Sequence, residues 1–336
     1  MTITDESRKV SMNNGRRIRT TFWWAMGMML FVCASKSLRA QVEPSNKACS
    51  PKFHQHSVTV DGYVFKTYQE LTTDDESACL EVTHAGKAVF RKIEEGGEFS
   101  LGQKAQPEYG VPAISPGTDL TGRGHPNMIA SYYSGGAHCC TSILLFELEP
   151  KLRLISTLET GDSDVAHFER NMQEGTYYFI AWDEPFAYWH ACYLCSPMPK
   201  VILKPLSDTK GNLVFQLDLK KMLIHAPTEQ EWQRDFLPKA REAFAPGAPF
   251  EKYYVGSQLW KPMLNLIYGG QADWAWKLVD AVWPADMSGK NEFLGEFCGQ
   301  LTQSEYWPDL EQQMGNAPVS CKEGIEVANA KGKNND

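Results

Sequence analysis

Apolar and polar residues alternate with a period of two through most of the stretch from residue 53 to residue 223. Residues 56–60 alternate, Asp61-Gly62 is a hairpin turn signal, and residues 63–68 alternate again; residues 78–83 and 87–93 flank Gly86 in the same manner. Successive side chains of a strand point to opposite faces, so the pattern predicts half-buried antiparallel strands joined by tight turns. Residues 94–117, rich in Gly, Pro and Glu, read as a long connection. Two further sets of strands follow, over 128–133, 141–148 and 152–158, then over 176–182, 200–206 and 212–217.

These two sets are alike. Residues 128–133 align with 177–182, 144–148 with 201–205, and 152–155 with 212–215, while His138-Cys139-Cys140 aligns with His190-x-Cys192-x-x-Cys195. Residues 63–93 make a fainter, earlier copy. Repeated four-stranded units of this length are a signature of propeller blades. The period changes near Ala226. Thr228-x-x-Glu231 is a capping box ahead of Trp232, Phe236, Leu237 and Ala240, with Pro238 placed to kink the helix it opens. Residues 259–268, 272–282 and 292–302 carry apolar residues at helical spacing. The expected fold class is therefore a mainly β N-terminal domain, antiparallel and propeller-like or a partial propeller, followed by a small all-α C-terminal domain. The expected divisions are a signal segment at 1–40, a β-rich repeat domain at 41–225, a helical domain at 226–320 and a disordered tail at 321–336.

Export follows from the first forty residues. Arg16, Arg17 and Arg19 precede an apolar run over 21–34, and Leu38-Arg39-Ala40 supplies a cleavage site before Gln41; Met12 is an alternative start. The run is short for a membrane span, which needs roughly twenty residues, so no span is expected once the signal is cleaved, and the destination is periplasmic or secreted. Without that segment, seven Lys/Arg and two Asp/Glu are lost, leaving 26 basic against 39 acidic residues and a formal charge of −13. Such a surface disfavours nucleic acid as a partner.

Eight cysteines remain: Cys49, Cys79, Cys139, Cys140, Cys192, Cys195, Cys298 and Cys321. An even number in an exported chain favours disulfides. Proximity suggests Cys49 with Cys79 and Cys298 with Cys321. The central four are expected to pair between the two similar modules, joining 139 or 140 to 192 or 195. The alternative is a zinc, copper or thiol-redox site built from His138, His190 and these sulfurs.

The richest stretch is 119–140. Asp119-Leu-Thr121-Gly-Arg123-Gly124-His-Pro-Asn127 resembles the calcium loops of integrin-like FG-GAP and VCBS repeats, which alternate oxygen ligands around a glycine. The resemblance implies Asp119, Thr121 and Asn127 as ligands. Arg123, however, stands where a carboxylate belongs, and one charged ligand is too few, so a degraded loop that keeps only its shape is expected. Ser134-Gly-Gly-Ala-His138-Cys139-Cys140 resembles a box in uncharacterised exported bacterial proteins with such a loop. That resemblance implies propeller-like repeats and no activity.

Catalytic signatures are lacking: the sequence has no Gly-x-Ser-x-Gly, His-Glu-x-x-His, P-loop or Rossmann glycine pattern. Asp162, Asp164 and His167 form an acidic loop, and His54-Gln-His56 reads as surface. Aromatic residues crowd 177–193, a composition suited to recognition. The function expected is non-enzymatic binding of a protein or cell-envelope ligand, with no cofactor, through Trp182, Phe186, Tyr188, Trp189, His138 and His190. The metal or thiol site is the first alternative, and a hydrolase of unknown mechanism the second.

Overall fold

The computed structural model describes residues 49–71, 76–136, 139–161, 163, 165–245 and 255–332. The signal segment, His138, Asp162 and Asp164 lie outside the described residues. Among the described residues are three four-stranded antiparallel sheets, each a meander in chain order. The first holds β1 (His54–Val60), β2 (Tyr63–Leu71), β3 (Glu76–His84) and β4 (Lys87–Glu95). The second holds β5 (Glu98–Leu101), β6 (Asn127–Gly136), β7 (Cys139–Glu147) and β8 (Arg153–Glu159). The third holds β9 (His167–Arg170), β10 (Tyr177–Trp182), β11 (Lys200–Ser207) and β12 (Leu213–Leu217). The connection expected over 94–117 thus contains a strand, β5.

Alternation makes the second sheet two-faced. Met128, Ala130, Leu144 and Phe146 point one way and share a core with Phe65, Leu80 and Val82 of the first sheet. Ile129, Ile143 and Leu145 point the other way and join Phe168, Phe179, Val201 and Leu203 of the third sheet. That second core continues without a break into the helices, through Leu259, Trp260, Leu264, Val279 and Phe297. The composition shift near Ala226 therefore marks a change of secondary structure and not a gap between cores.

The helical part begins with α1 (Leu219–Met222) and α2 (Glu229–Glu231). The capping box forms: the Glu231 amide donates to Thr228 Oγ1 at 3.3 Å, and the Thr228 amide donates to Glu231 Oε2 at 2.8 Å. A π turn over Trp232–Phe236 leads into α3 (Leu237–Arg241), and the Leu237 amide closes it on the Trp232 carbonyl. Pro238 has no amide hydrogen to continue the ladder, which places the irregular turn at this point. Next come α4 (Ser257–Tyr268), α5 (Ala272–Val282), α6 (Lys290–Leu301), α7 (Trp307–Leu310) and α8 (Val319–Gly332).

Of the disordered tail expected at 321–336, residues 321–332 instead belong to helix α8, and 333–336 lie outside the described residues. Weak amphipathicity concealed the helix, and small residues hold it in place. A Cβ on Gly324 would run into the Gly295 carbonyl oxygen of α6, so the two backbones meet where only glycine fits. Cys298 and Cys321 join the same two helices through a disulfide. No described helix is long and apolar enough to cross a membrane.

Candidate functional site

The antiparallel meanders place residues 134–136 at the end of β6, residues 139–140 at the start of β7, and the 183–199 loop between β10 and β11. The loop is the more elaborate of these segments. Its base closes where the Asp183 amide donates to the Pro199 carbonyl at 2.9 Å. The buried Asp183 carboxylate accepts hydrogen bonds from Tyr268 of α4 and from Ser304. Burial raises the Asp183 pKa above its ordinary 3.8, with those two hydroxyls opposing the shift. Burial also pushes Tyr268 well above its ordinary value, and the neighbouring carboxylate adds to this. Gln300 Nε2 of α6 donates to the Pro185 carbonyl.

Within the loop, the expected aromatic face divides. Phe186 is fully buried, with its ring 5.0 Å from Phe297 and 5.6 Å from Trp260, so it is core and not a binding residue. Trp189 is half-buried, edge-on to Trp260 at 5.0 Å, and Trp182 is half-buried at the end of β10. Tyr188 is 58% exposed and His190 is exposed. Both take left-handed backbone conformations, φ 59° and 48°, which for a residue with a Cβ costs on the order of 1–2 kcal/mol. A turn over Phe186–Trp189 drives the aromatic anchors inward, and the reversal at Tyr188 and His190 sends these two outward.

The rest of the loop is braced. Cys192 and Cys195 form a disulfide across a single short turn (Tyr193–Cys195), with both residues exposed. The Tyr188 amide donates to Ser196 Oγ at 3.0 Å, and that hydroxyl donates to the Cys192 carbonyl at 3.0 Å. Leu194, at the tip, is 92% exposed. Sequence reasoning overlooked it because it lies between the two cysteines that drew the attention.

This pairing corrects the disulfide expectation. Cys140 is disulfide-bonded as well, but Cys192 and Cys195 are bonded to each other, so no strap joins 139 or 140 to 192 or 195. The outer pairs, Cys49–Cys79 and Cys298–Cys321, follow proximity. Oxidised sulfur offers no thiolate to zinc or copper, so Cys140, Cys192 and Cys195 do not serve as metal ligands beside His190. Among the described residues no group of three or more His, Cys, Asp or Glu could hold an ion.

The 119–127 loop turns its polar atoms inward. Asp119 Oδ1 accepts from the Thr121 and Gly122 amides at 3.1 and 2.8 Å, and Oδ2 from the Gly124 amide at 2.7 Å. The Thr121 hydroxyl donates to the same carboxylate. Asn127 Oδ1 accepts from the Leu120 amide, and its Nδ2 donates to the Phe146 carbonyl. Arg123 lies 3.4 Å from Glu147, a fully buried carboxylate that Arg153 also pairs with. With one carboxylate already held by three amides and a guanidinium beside it, the donor set does not suit calcium. His167 is buried, with Nδ1 2.7 Å from the Val165 carbonyl, and His54 sits edge-on to Tyr68.

Beside the braced loop runs an open groove of about 1020 Å³. Trp189 and His190 form one wall, α6 contributes Glu292 and Glu296, and α8 contributes Glu323 and Lys331. Burial lowers the His190 pKa below its ordinary 6.5, and Glu296 opposes the shift. Of this helical wall, α6 follows the helical spacing over 292–302, whereas α8 was not legible in advance, because residues from 321 onward were expected to be disordered. Compared with models of known families, with curated proteins and with solved structures, the chain matches none.

Proposed function

We propose that this chain is an exported, non-enzymatic binding protein whose three sheets are blades of a partial propeller. Its recognition surface is the tip Tyr188–Leu194 together with the adjoining acidic groove. The repeat reading draws on strand position: residues 128–133 and 177–182 lie in second strands, 144–148 and 201–205 in or next to third strands. Export draws on the three disulfides among the described residues, which persist in oxidising compartments.

The observation that carries the binding reading is a large apolar side chain, Leu194, held almost fully in water by a braced loop. A rigid scaffold presenting apolar and tyrosyl groups reduces the ordering cost of association. The partner is an extended segment of another cell-envelope protein carrying apolar side chains and at least one Lys or Arg, because Glu292, Glu296 and Glu323 outnumber Lys331 along the groove. Cross-linked capture from a cell-envelope extract tests this. Tyr188→Ala with Leu194→Ala should abolish capture of the protein that the wild type retains, and raised salt should weaken it. Equal capture by the variant removes this surface from consideration.

Thiol–disulfide exchange is the second reading, favoured by the exposure of both Cys192 and Cys195. Two thiols of a reductant would be oxidised to one disulfide as this bond is reduced to two thiols. Incubation with a glutathione redox buffer tests it. Two titratable thiols appearing at this pair alone support exchange, and persistence of the bond in strongly reducing buffer excludes it.

A further inference from the structure

Between the second and third sheets lies a cavity of about 690 Å³, within the range of roughly 300–1,000 Å³ common to small-molecule sites. Its walls follow from strand register. Glu98, Tyr133 and Thr141 stand side by side on one rung of β5, β6 and β7, and Ser100, Ser131 and Ile143 on the next. One rung deeper the pair is Ile129 and Leu145. This face of the sheet thus changes from apolar to hydroxyl-bearing halfway along its strands. On the opposite face β6 keeps Met128, Ala130 and Tyr132 over the same length, and β7 sets a single hydroxyl, Ser142, beside Tyr132. A face that only had to pack would have no use for Ser131 and Thr141 at these positions.

The other side of the cavity is aromatic. Phe168 and Phe179, 4.9 Å apart, form its floor from the third sheet. Gln103 fixes the two sheets at this edge: its Nε2 donates to the Phe168 carbonyl at 2.8 Å, and its Oε1 accepts from the Phe168 amide at 2.7 Å. Both backbone groups of Phe168 on the free edge of β9 are thereby satisfied, and a hydrogen-bonded clasp joins the two sheets at the cavity. On its rim, Ser163 Oγ is buried without a hydrogen-bond partner, and an unsatisfied buried hydroxyl costs free energy unless a ligand or water meets it.

We infer that this cavity binds a small, neutral, polyhydroxylated molecule of one or two sugar rings. Hydroxyls from Ser100, Ser131, Thr141 and Ser163 match ligand hydroxyls, and the phenyl floor takes the C–H face of a ring. Glu98 and Lys104, one of each charge, leave the lining without a bias toward an ion. The inference is independent of the tip at Tyr188–Leu194.

Saturation-transfer NMR on the full chain with glucose, N-acetylglucosamine, maltose and chitobiose tests it. At least one should show transfer to its ring protons. Ser131→Leu should reduce that transfer at least tenfold, and Tyr188→Ala should leave it unchanged. Thr141→Val, which removes a hydroxyl at nearly constant shape, should also weaken it, and it decides alone if circular dichroism shows Ser131→Leu to be unfolded. Absence of transfer for all four sugars, or transfer that survives the folded variants, overturns the inference.

Discussion

The loop at 119–127 and the loop at 183–199 both drew attention in the sequence, and their polar atoms have opposite destinations. In the first, Asp119 and Asn127 accept from the loop's own amides, and Arg123 turns to the buried Glu147. In the second, the hydrogen bonds of Asp183 and Ser196 brace a tip that places Tyr188 and Leu194 in water. A concentration of oxygen atoms is thus a poor guide to a site when backbone amides already fill them. The proposed surface rests instead on Leu194 and Tyr188, which a braced loop holds outward.

The comparison can be broken most forcefully at Glu147. Arg123→Met with Arg153→Met strands a carboxylate of zero exposure and should cost about 3–5 kcal/mol in urea unfolding; a loss below about 1 kcal/mol would show that Glu147 is not held by these cations. Asp119→Ala removes the acceptor of three amides and should cost about 1–3 kcal/mol, while millimolar calcium should leave the wild-type Tm unchanged. A calcium-dependent rise in Tm would instead make the first loop a cation site. Reduction compares the two braces. Cys192→Ser with Cys195→Ser opens a four-residue ring and should cost about 2 kcal/mol, against about 3.5 kcal/mol for Cys298→Ser with Cys321→Ser in the chain-entropy picture. At the tip, Tyr188→Ala with Leu194→Ala should change stability by no more than about 0.5 kcal/mol; a larger loss would mean the tip serves the fold.

The smallest effect is a slope with pH. Asp183 holds its proton in the folded protein above the ordinary 3.8, so in that window the native state binds more protons than the unfolded one. Its contribution must then fall as pH rises through the raised value. Asp183→Asn should remove this slope from stability measured as pH rises from the ordinary carboxylate value, and an unchanged slope would place the titration elsewhere.

Much of the architecture was legible because it follows side-chain period. Every strand of the first sheet shows alternation or turn signals, as do the last three strands of each later sheet. The first strands of those sheets, β5 and β9, were missed for a common reason. Each has only four residues, of which two are charged or hydroxylic, Glu98 and Ser100 in one, Glu169 and Arg170 in the other, so neither shows a run of alternating apolar positions. Helix α8 was missed because its stability comes from contact with α6 through Gly324 and Cys321, which no local pattern announces. In the candidate site, aromatic density pointed to the loop that carries Tyr188 and Leu194 but not to which of its rings face water. Phe186 and Trp189 turn inward because the loop reverses at Tyr188, a backbone feature invisible in composition. The pairing of Cys192 with Cys195 was equally hidden, since spacing alone allows a bridge within the loop or across modules.

The account rests on the tip at Tyr188–Leu194 being the surface that a partner meets. Its most direct test is the affinity of the captured envelope protein, once purified, for three forms of this chain. Wild type and Asp119→Asn should bind alike, and Tyr188→Ala with Leu194→Ala should bind at least about 30-fold more weakly, the loss expected of a hot spot. Equal affinity across the three forms, or a loss confined to Asp119→Asn, would contradict it.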